Sequence, residues 1–327
     1  MLSIVDLIEA GTMTRDLAAY ALAAIGRGAS FMVGALPGGA GKTTVMGALL
    51  NFVPRDAALV SADGDEAILR LMRERSRRCC CVCHEIGDGP YYAYLWGEPL
   101  RRYFDLPDAG HMMATNLHAD TYAAARRQVC EQNRVAPSKF RRMNVIYFLT
   151  VERQARGTMR RVTGVWESDG EHDHRPIFGD GVQGLPYEAS TLVAPNSFHA
   201  ANETVDRLMT TGARSIAEVR AVVLQERPDE RLGATEGGAV EVPINGVLDL
   251  HMFRPADVGD LVPTYLEECR KRGILQVRII HGKGIGALRE TVHAILRRMP
   301  EVATFGLAPD YLGGWGATVV ELRGLTK

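Results

Sequence analysis

The apolar run SFMVGAL passes directly into PGGAGKTT, and no other segment restricts the fold as much. An apolar strand that empties into a glycine-rich turn and then into a helix opening at Lys42 is a strand–turn–helix unit. Glycines let backbone N–H groups approach a phosphate, and the helix N-terminus adds its positive end. Lys42 can reach the β- and γ-phosphates and Thr43 can hold Mg²⁺. Gly38, Gly39, Ala40, Gly41, Lys42, Thr43 and Thr44 are therefore the expected contacts to a nucleotide, with ATP and Mg²⁺ as ligands. One position departs from the GxxxxGK[ST] spacing. Leu36 stands where the first glycine belongs, with glycines at 34, 38 and 39 instead.

Around this unit, apolar runs alternate with helical patterns up to about residue 165: AAYALAAI, ASFMVGAL, a helix from Lys42, DAALVSAD, CCCVC, HMMATNL and NVIYFLTVE. That rhythm predicts an α/β domain with a mostly parallel sheet. Phosphate transfer also needs an acid at the end of a buried strand. Glu85, closing CCCVCHE, fits, and Asp63 and Asp65 in LVSADGDE are further candidates for the metal shell. His111 and His118 bracket HMMATNL and are candidates for a γ-phosphate or subunit contact. Cys79, Cys80, Cys81 and Cys83 lack the second knuckle of a zinc site and are expected to be small buried strand residues. The stripe Tyr91, Tyr92, Tyr94 and Trp96 reads as core or rim packing, with base stacking as the alternative.

These pieces together resemble the ATPases that power type II and type IV secretion and pilus assembly, the CpaF-like members above all. GGAGKTT matches their Walker A loop, SADGDE their Asp box, CVCHEIGD their Walker B strand, GHMMATNLHAD their His box, and VERQARGTMRRVTGVWE their closing hairpin. The resemblance spans roughly residues 1–167 and implies a RecA-like P-loop domain, ATP hydrolysis at Glu85 and a homo-oligomer. Gly87 takes the place of the usual Arg after Glu85, and GPYYAYLWGEP lengthens the path to His111.

Residues 168–200 are rich in Gly, Pro, Asp and His and read as a long excursion; a helical pattern follows over 203–225. QERPDERLGATEGGAV has turn formers and charges and almost no large apolar side chains, so 226–240 is the expected linker between domains at 1–225 and 241–327. Two domains also suit a length of 327 residues. In the second, strands are expected at 246–250, 276–281, 303–307 and 317–322. Helices are expected to end near Arg272 and to span 287–299, and Pro263 is expected to open the main part of the first.

In GVLDLHMFRP, Asp249 and His251 lie at i and i+2 of a strand and share a face. His281 ends the next apolar strand, followed by the Gly282–Lys283–Gly284 turn. Imidazoles for proton transfer, and Lys283 with backbone N–H groups for phosphate charge, make a plausible phosphodiesterase edge. Eight Lys/Arg against Glu290 between 270 and 298 would suit a polyanion groove. From about 241 to 323 the chain resembles the small MutS-related (Smr) domain, through LDLH, IIHGKGIGALR and GGWGATVVEL in order. The resemblance implies a compact α/β sandwich that binds DNA or RNA and acts as an endonuclease. By motif, Asp249, His251, His281, Gly282 and Gly284 would form the active edge, with the Gly313–Thr318 turn beside it; Asp249, His251, His281 and Lys283 are the expected catalytic residues, and Arg254, Gly282, Gly284, Arg289 and Gly314 the expected contacts to nucleic acid. Met252 replaces the glycine that usually follows LDLH.

Lys+Arg 38 against Asp+Glu 39 gives a net charge of −1, so any affinity for nucleic acid must come from a local patch. No apolar run approaches the ~20 residues of a membrane helix, and the start, MLSIVDLIEAGTMTRDL, is acidic where a signal peptide is basic. The chain is expected in the cytoplasm. The leading expectation is a nucleotide-regulated Smr nuclease; a non-cleaving nucleotide-dependent clamp and a secretion-type motor are the alternatives.

Overall fold

Side chains alternate across the central strand of the larger sheet: Phe31, Val33 and Ala35 enter one buried cluster and Met32 the other. A strand covered on both faces needs helices above and below it. The computed structural model describes residues 2–36, 39–62, 64–73, 77–89, 93–154, 157–179, 181–224, 244–250, 258–281, 287–309 and 316–324. They belong to two compact units, one within Leu2–Gly89 and Ala93–Arg231, the other within Leu232–Lys327. The expected linker, 226–240, lies outside the described residues.

The first unit is built on β1 (Phe31–Ala35), β2 (Ala58–Ser61), β3 (Cys79–Ile86), β4 (Tyr94–Leu95), β5 (Met112–Leu117), β6 (Val145–Gln154), β7 (Gly157–Glu167) and β8 (Arg175–Phe178). The sheet order is β2-β3-β5-β1-β6-β7-β8, with β4 paired to the end of β3. Pairing is parallel from β2 to β6 and antiparallel from β6 to β8. Helices α1 (Ile4–Glu9), α2 (Arg15–Gly26) and α3 (Lys42–Leu50) bury residues in one core. Helices α4 (Asp65–Arg73), α5 (Glu98–Tyr103), α6 (Tyr122–Arg126) and α7 (Pro137–Phe140) bury theirs in the other. AAYALAAI is the buried body of α2, capped by Thr14, whose side chain accepts from the Leu17 N–H. The cysteines are buried in β3, Cys80 toward one core and Cys79, Cys81 and Cys83 toward the other. Burial pushes the Cys80 and Cys83 thiols up to about 12, which leaves them inert small hydrophobes at neutral pH.

The stretch 168–200, weakly periodic in sequence, pairs through β8 with β7, buries Ile177, Val193 and Phe198, and is tied near its end by one carboxylate. Glu167 is buried and accepts from the Tyr20 hydroxyl at 2.8 Å, the Thr191 N–H at 2.6 Å, the Thr191 hydroxyl at 2.9 Å and the Ser190 hydroxyl. A buried carboxylate with that many donors ties α2 and β7 to the segment that follows. Where one helical pattern was expected over 203–225, two helices occur, α8 (Pro195–Thr211) and α9 (Ile216–Val223). Gly212, at φ 63°, ends α8, and Ser215 with Glu218 forms the capping box that opens α9.

The second unit has β9 (Val247–Asp249), β10 (Gln276–Ile280), β11 (Val302–Leu307) and β12 (Ala317–Leu322) in the order β11-β12-β10-β9, with only β9 and β10 parallel. Helices α10 (Val258–Lys271) and α11 (Ala287–Leu296) share its core. Leu248, Val277, Ile279, Val320 and Leu322 meet Val262, Leu266, Val292 and Leu296 there, the α/β sandwich expected. Pro263 lies inside α10 instead of opening it, so the helix forgoes one bond, to the Gly259 carbonyl. Among the described residues no helix is long and apolar enough to cross a membrane.

Candidate functional sites

In the first unit the C-terminal ends of β1, β3 and β5 carry the polar residues. Gly41 adopts φ 94°, a left-handed conformation that a side chain would strain, and α3 begins at the next residue. No side chain caps α3, so its first-turn N–H groups have no partner within the helix. Lys42 and Glu85 are each 7% exposed. Lys42 Nζ lies 3.1 Å from Glu85 Oε1 and His118 Nε2 lies 3.0 Å from the same oxygen, without a well-aligned hydrogen bond to either. Lys42 Nζ also stands 3.3 Å from His118 Nδ1. As an ammonium, Lys42 has only donors, so His118 Nδ1 accepts and its Nε2–H faces the carboxylate.

The His118 loop comes this close because of Gly34. A Cβ there would fall 2.4 Å from the Ala119 carbonyl oxygen and 3.0 Å from the Phe148 ring. The glycine displaced from the usual phosphate-loop position thus has a packing reason of its own. Gly39, Ala40, Thr43 and Thr44 lie at the turn and first helical turn, while Gly38 and Asp63 lie outside the described residues.

Three candidates from the sequence sit elsewhere. His111 is buried at the far end of β5, accepting from the Cys79 N–H at 3.2 Å and donating to the Leu71 carbonyl at 2.8 Å. It is a satisfied core histidine. Asp65 is ion-paired with Arg102 of α5 and does not join the Lys42 cluster. Trp96 packs against the second core.

Two further residues join this cluster: Tyr94, expected from the sequence as core or rim packing, and Arg160, which the sequence did not single out. The insertion after β3 returns as β4, pairing Glu85 with Tyr94, and the Tyr94 hydroxyl donates to Glu85 Oε2 at 3.0 Å. Tyr91 and Tyr92 lie outside the described residues. Arg160, on β7, donates to the Gly39 carbonyl at 3.3 Å and would meet a Cβ on Gly41 at 3.0 Å, so its guanidinium lies over the turn. Its only sequence signal was a basic residue in the hairpin.

In the second unit, Asp249 is in register with Ile280, and the His281 N–H donates to the Gly316 carbonyl at 3.0 Å. The backbones at Asp249, His281 and Gly316 therefore adjoin at one edge of the sheet. His251, Arg254, Gly282, Lys283, Gly284 and Gly314 lie outside the described residues. His281 is 5% exposed, and its Nε2 is 2.9 Å from Thr318 Oγ1, which His293 Nε2 also reaches at 2.9 Å. Burial holds the His293 pKa below the ordinary imidazole value. Thr318 closes the 313–318 stretch that the Smr resemblance puts beside this edge, and the structure sets it on the inward side of β12.

The expected basic groove divides. Arg289, paired with Glu290 at 3.1 Å, begins α11 just after the His281 edge. Arg270, Lys271 and Arg298 instead line an open cavity of about 440 Å³ with Met299 and Pro300. That cavity adjoins the far end of the sheet, where Arg270 donates to the Arg323 carbonyl at 2.8 Å.

The Smr domain family model matches residues 248–323. The chain is 34% identical over 156 residues to an endonuclease MutS2 of Carboxydothermus hydrogenoformans, covering 46% of this chain and 19% of that protein. It thus spans about a fifth of that relative's length. Among solved structures, the Smr domain of Thermus thermophilus MutS2 is 43% identical, covers 24% of this chain and 96% of its own, and has a TM-score of 0.23. The VirB11 ATPase of the Brucella suis type IV secretion system is 21% identical over 45% of this chain and 50% of its own, with a TM-score of 0.33. Residues 248–323 of this chain are an Smr domain.

Proposed function

We propose that this chain binds ATP through its N-terminal domain, 1–225, and that its Smr domain, 241–327, binds DNA or RNA and hydrolyses phosphodiester bonds. The observation that carries the reading is the Smr match over 248–323, which spans the edge where Asp249, His281 and Gly316 adjoin. In this reading His251 and His281 handle protons, Asp249 supplies the carboxylate, and Lys283 with the backbone N–H groups of Gly282 and Gly284 carries phosphate charge. Arg254, Arg289 and Gly314 track the backbone of the nucleic acid.

The N-terminal residues fit a nucleoside triphosphate. The first-turn N–H groups of α3 and the buried Lys42 ammonium suit its phosphates, and the Glu85 Oε1, buried without an aligned donor, suits a water or a metal-bound ligand. Thr43 and Asp63 would hold Mg²⁺, which neutralises phosphate charge when bound. Glu85 is the residue that polarises a hydrolytic water. Nucleotide state governs access to the Smr edge through 226–240, in a cytoplasmic protein that self-associates.

Labelled nucleic acid incubated with the intact chain under ATP, ADP and no nucleotide tests the coupling. Identical binding and cutting in all three refutes it. Light scattering with Mg-ATP tests self-association, and a monomer throughout refutes it. The 5% exposure of His281 favours a second reading, in which the Smr domain grips nucleic acid without cutting. A clamp keeps binding and has no cutting to lose when His251 or His281 becomes Ala.

A further inference from the structure

Two imidazoles meet on one hydroxyl in the second unit. His281 Nε2 and His293 Nε2 each lie 2.9 Å from Thr318 Oγ1, with ring centroids 6.4 Å apart and ring planes at 84°. Thr318 is fully buried and comes from β12, His293 from α11, and His281 from the end of β10. The Phe305 ring stands 5.1 Å from that of His293 and limits its rotation.

A threonine hydroxyl has one hydrogen and two lone pairs. It can donate to only one of the two Nε2 atoms. With both rings neutral and both contacts made, the other ring must carry its proton on Nε2 and donate to Oγ1. The protons of the two rings are therefore placed in complementary positions: one ring has Nε2–H and the other Nδ1–H. Because Thr318 itself is fully buried, water does not readily substitute for its hydroxyl.

We propose that Thr318 and His293 are positioning residues that fix the ring orientation of His281 and decide which of its nitrogens carries the proton. The inference rests on the reading of this edge as the phosphodiesterase site and extends it, since a histidine that moves protons works from one defined tautomer. Neither Thr318 nor His293 is assigned a contact with nucleic acid.

The test uses the full chain labelled with ¹⁵N-histidine. Long-range ¹H–¹⁵N spectra report the tautomer of each ring, and the cleavage rate and Kd for nucleic acid are measured on the same samples. In Thr318→Val the tautomer populations of both His281 and His293 change. Cleavage falls about tenfold, as for loss of one buried hydrogen bond, while Kd stays the same. Thr318→Ser, which restores the hydroxyl, recovers the tautomers and the rate. His293→Gln tests the same link from the other ring and shifts His281 alone. Unchanged His281 ring signals in Thr318→Val and His293→Gln overturn the inference, as does a Thr318→Ser protein no better than Thr318→Val. A wild-type chain that cuts nothing overturns the nuclease reading instead, and the ring signals still decide whether Thr318 sets the tautomer.

Discussion

Lys42 Nζ stands 3.1 Å from Glu85 Oε1 with both side chains nearly buried, so the ammonium at the phosphate loop is held by the strand-end carboxylate. A bound phosphate competes with Glu85 for that charge. Lys42→Ala is expected to weaken ATP binding on the order of 100-fold, the size of a truncated buried charge contact. Glu85→Gln keeps the shape and releases Lys42, so ATP binds at least as tightly while any turnover is lost. Glu85→Ala, which leaves Lys42 buried without its pair, costs roughly 3 kcal/mol of stability. Titration calorimetry and denaturant unfolding of the three variants check these directions.

Arg160 lies over the same turn from another element, donating to the Gly39 carbonyl. It is exposed, so its ion contacts are weak and screened by salt. Arg160→Ala is expected to weaken ATP binding by about threefold to tenfold at low salt, less at high salt, with the melting temperature unchanged. Affinity measured across a salt series decides it.

His174 is buried, donates from Nε2 to the Met143 carbonyl at 2.7 Å, and packs against Phe140 at a ring distance of 4.9 Å. Desolvation lowers its pKa from 6.5 to about 4. Between those values the unfolded chain binds a proton that the folded chain does not, so stability falls as pH drops from 6.5 toward 4. The loss over that window is about 3 kcal/mol. His174→Gln should flatten this part of the stability profile, read by urea unfolding between pH 4 and 7.

The division of the basic residues between the two ends of the Smr sheet has a direct consequence. Arg289→Ala should weaken nucleic-acid binding and lower the salt slope by about one. Arg270→Ala and Arg298→Ala, at the far cavity, should leave both unchanged. Binding isotherms at several salt concentrations separate the two groups.

The fold was legible where periodicity and punctuation agreed. The glycine turn before Lys42, the apolar runs of β1, β5 and β6, and the strand–helix alternation after 246 each point to the element found. The expectation for 168–200 differed because Ile177, Val193 and Phe198 reach the core at irregular spacing, and the donors converging on Glu167 depend on tertiary contact. Of the nucleotide-site candidates, Lys42, Glu85 and His118 follow from their places at strand ends, and the parallel sheet brings those ends together. Tyr94 and Arg160 did not, because each depends on a tertiary contact: β4 folding back on β3, and β7 crossing near the turn. His111 and His118 looked equivalent in sequence, yet β5 separates them by its full length. The register of β10 with β12 likewise places Thr318 beside His281, a relation across 37 residues that no local pattern encodes.

Cutting of nucleic acid at the Smr edge under nucleotide control, as proposed above, comes down to one comparison. The most direct measurement incubates intact protein with end-labelled single- and double-stranded DNA and RNA, with and without Mg-ATP, beside the Asp249→Ala/His251→Ala double variant. Internal cleavage of at least one substrate is expected, at a rate that changes with Mg-ATP, with cleavage lost and binding retained in the variant. Binding without cleavage of any substrate, or cleavage that survives in the double variant, would contradict it.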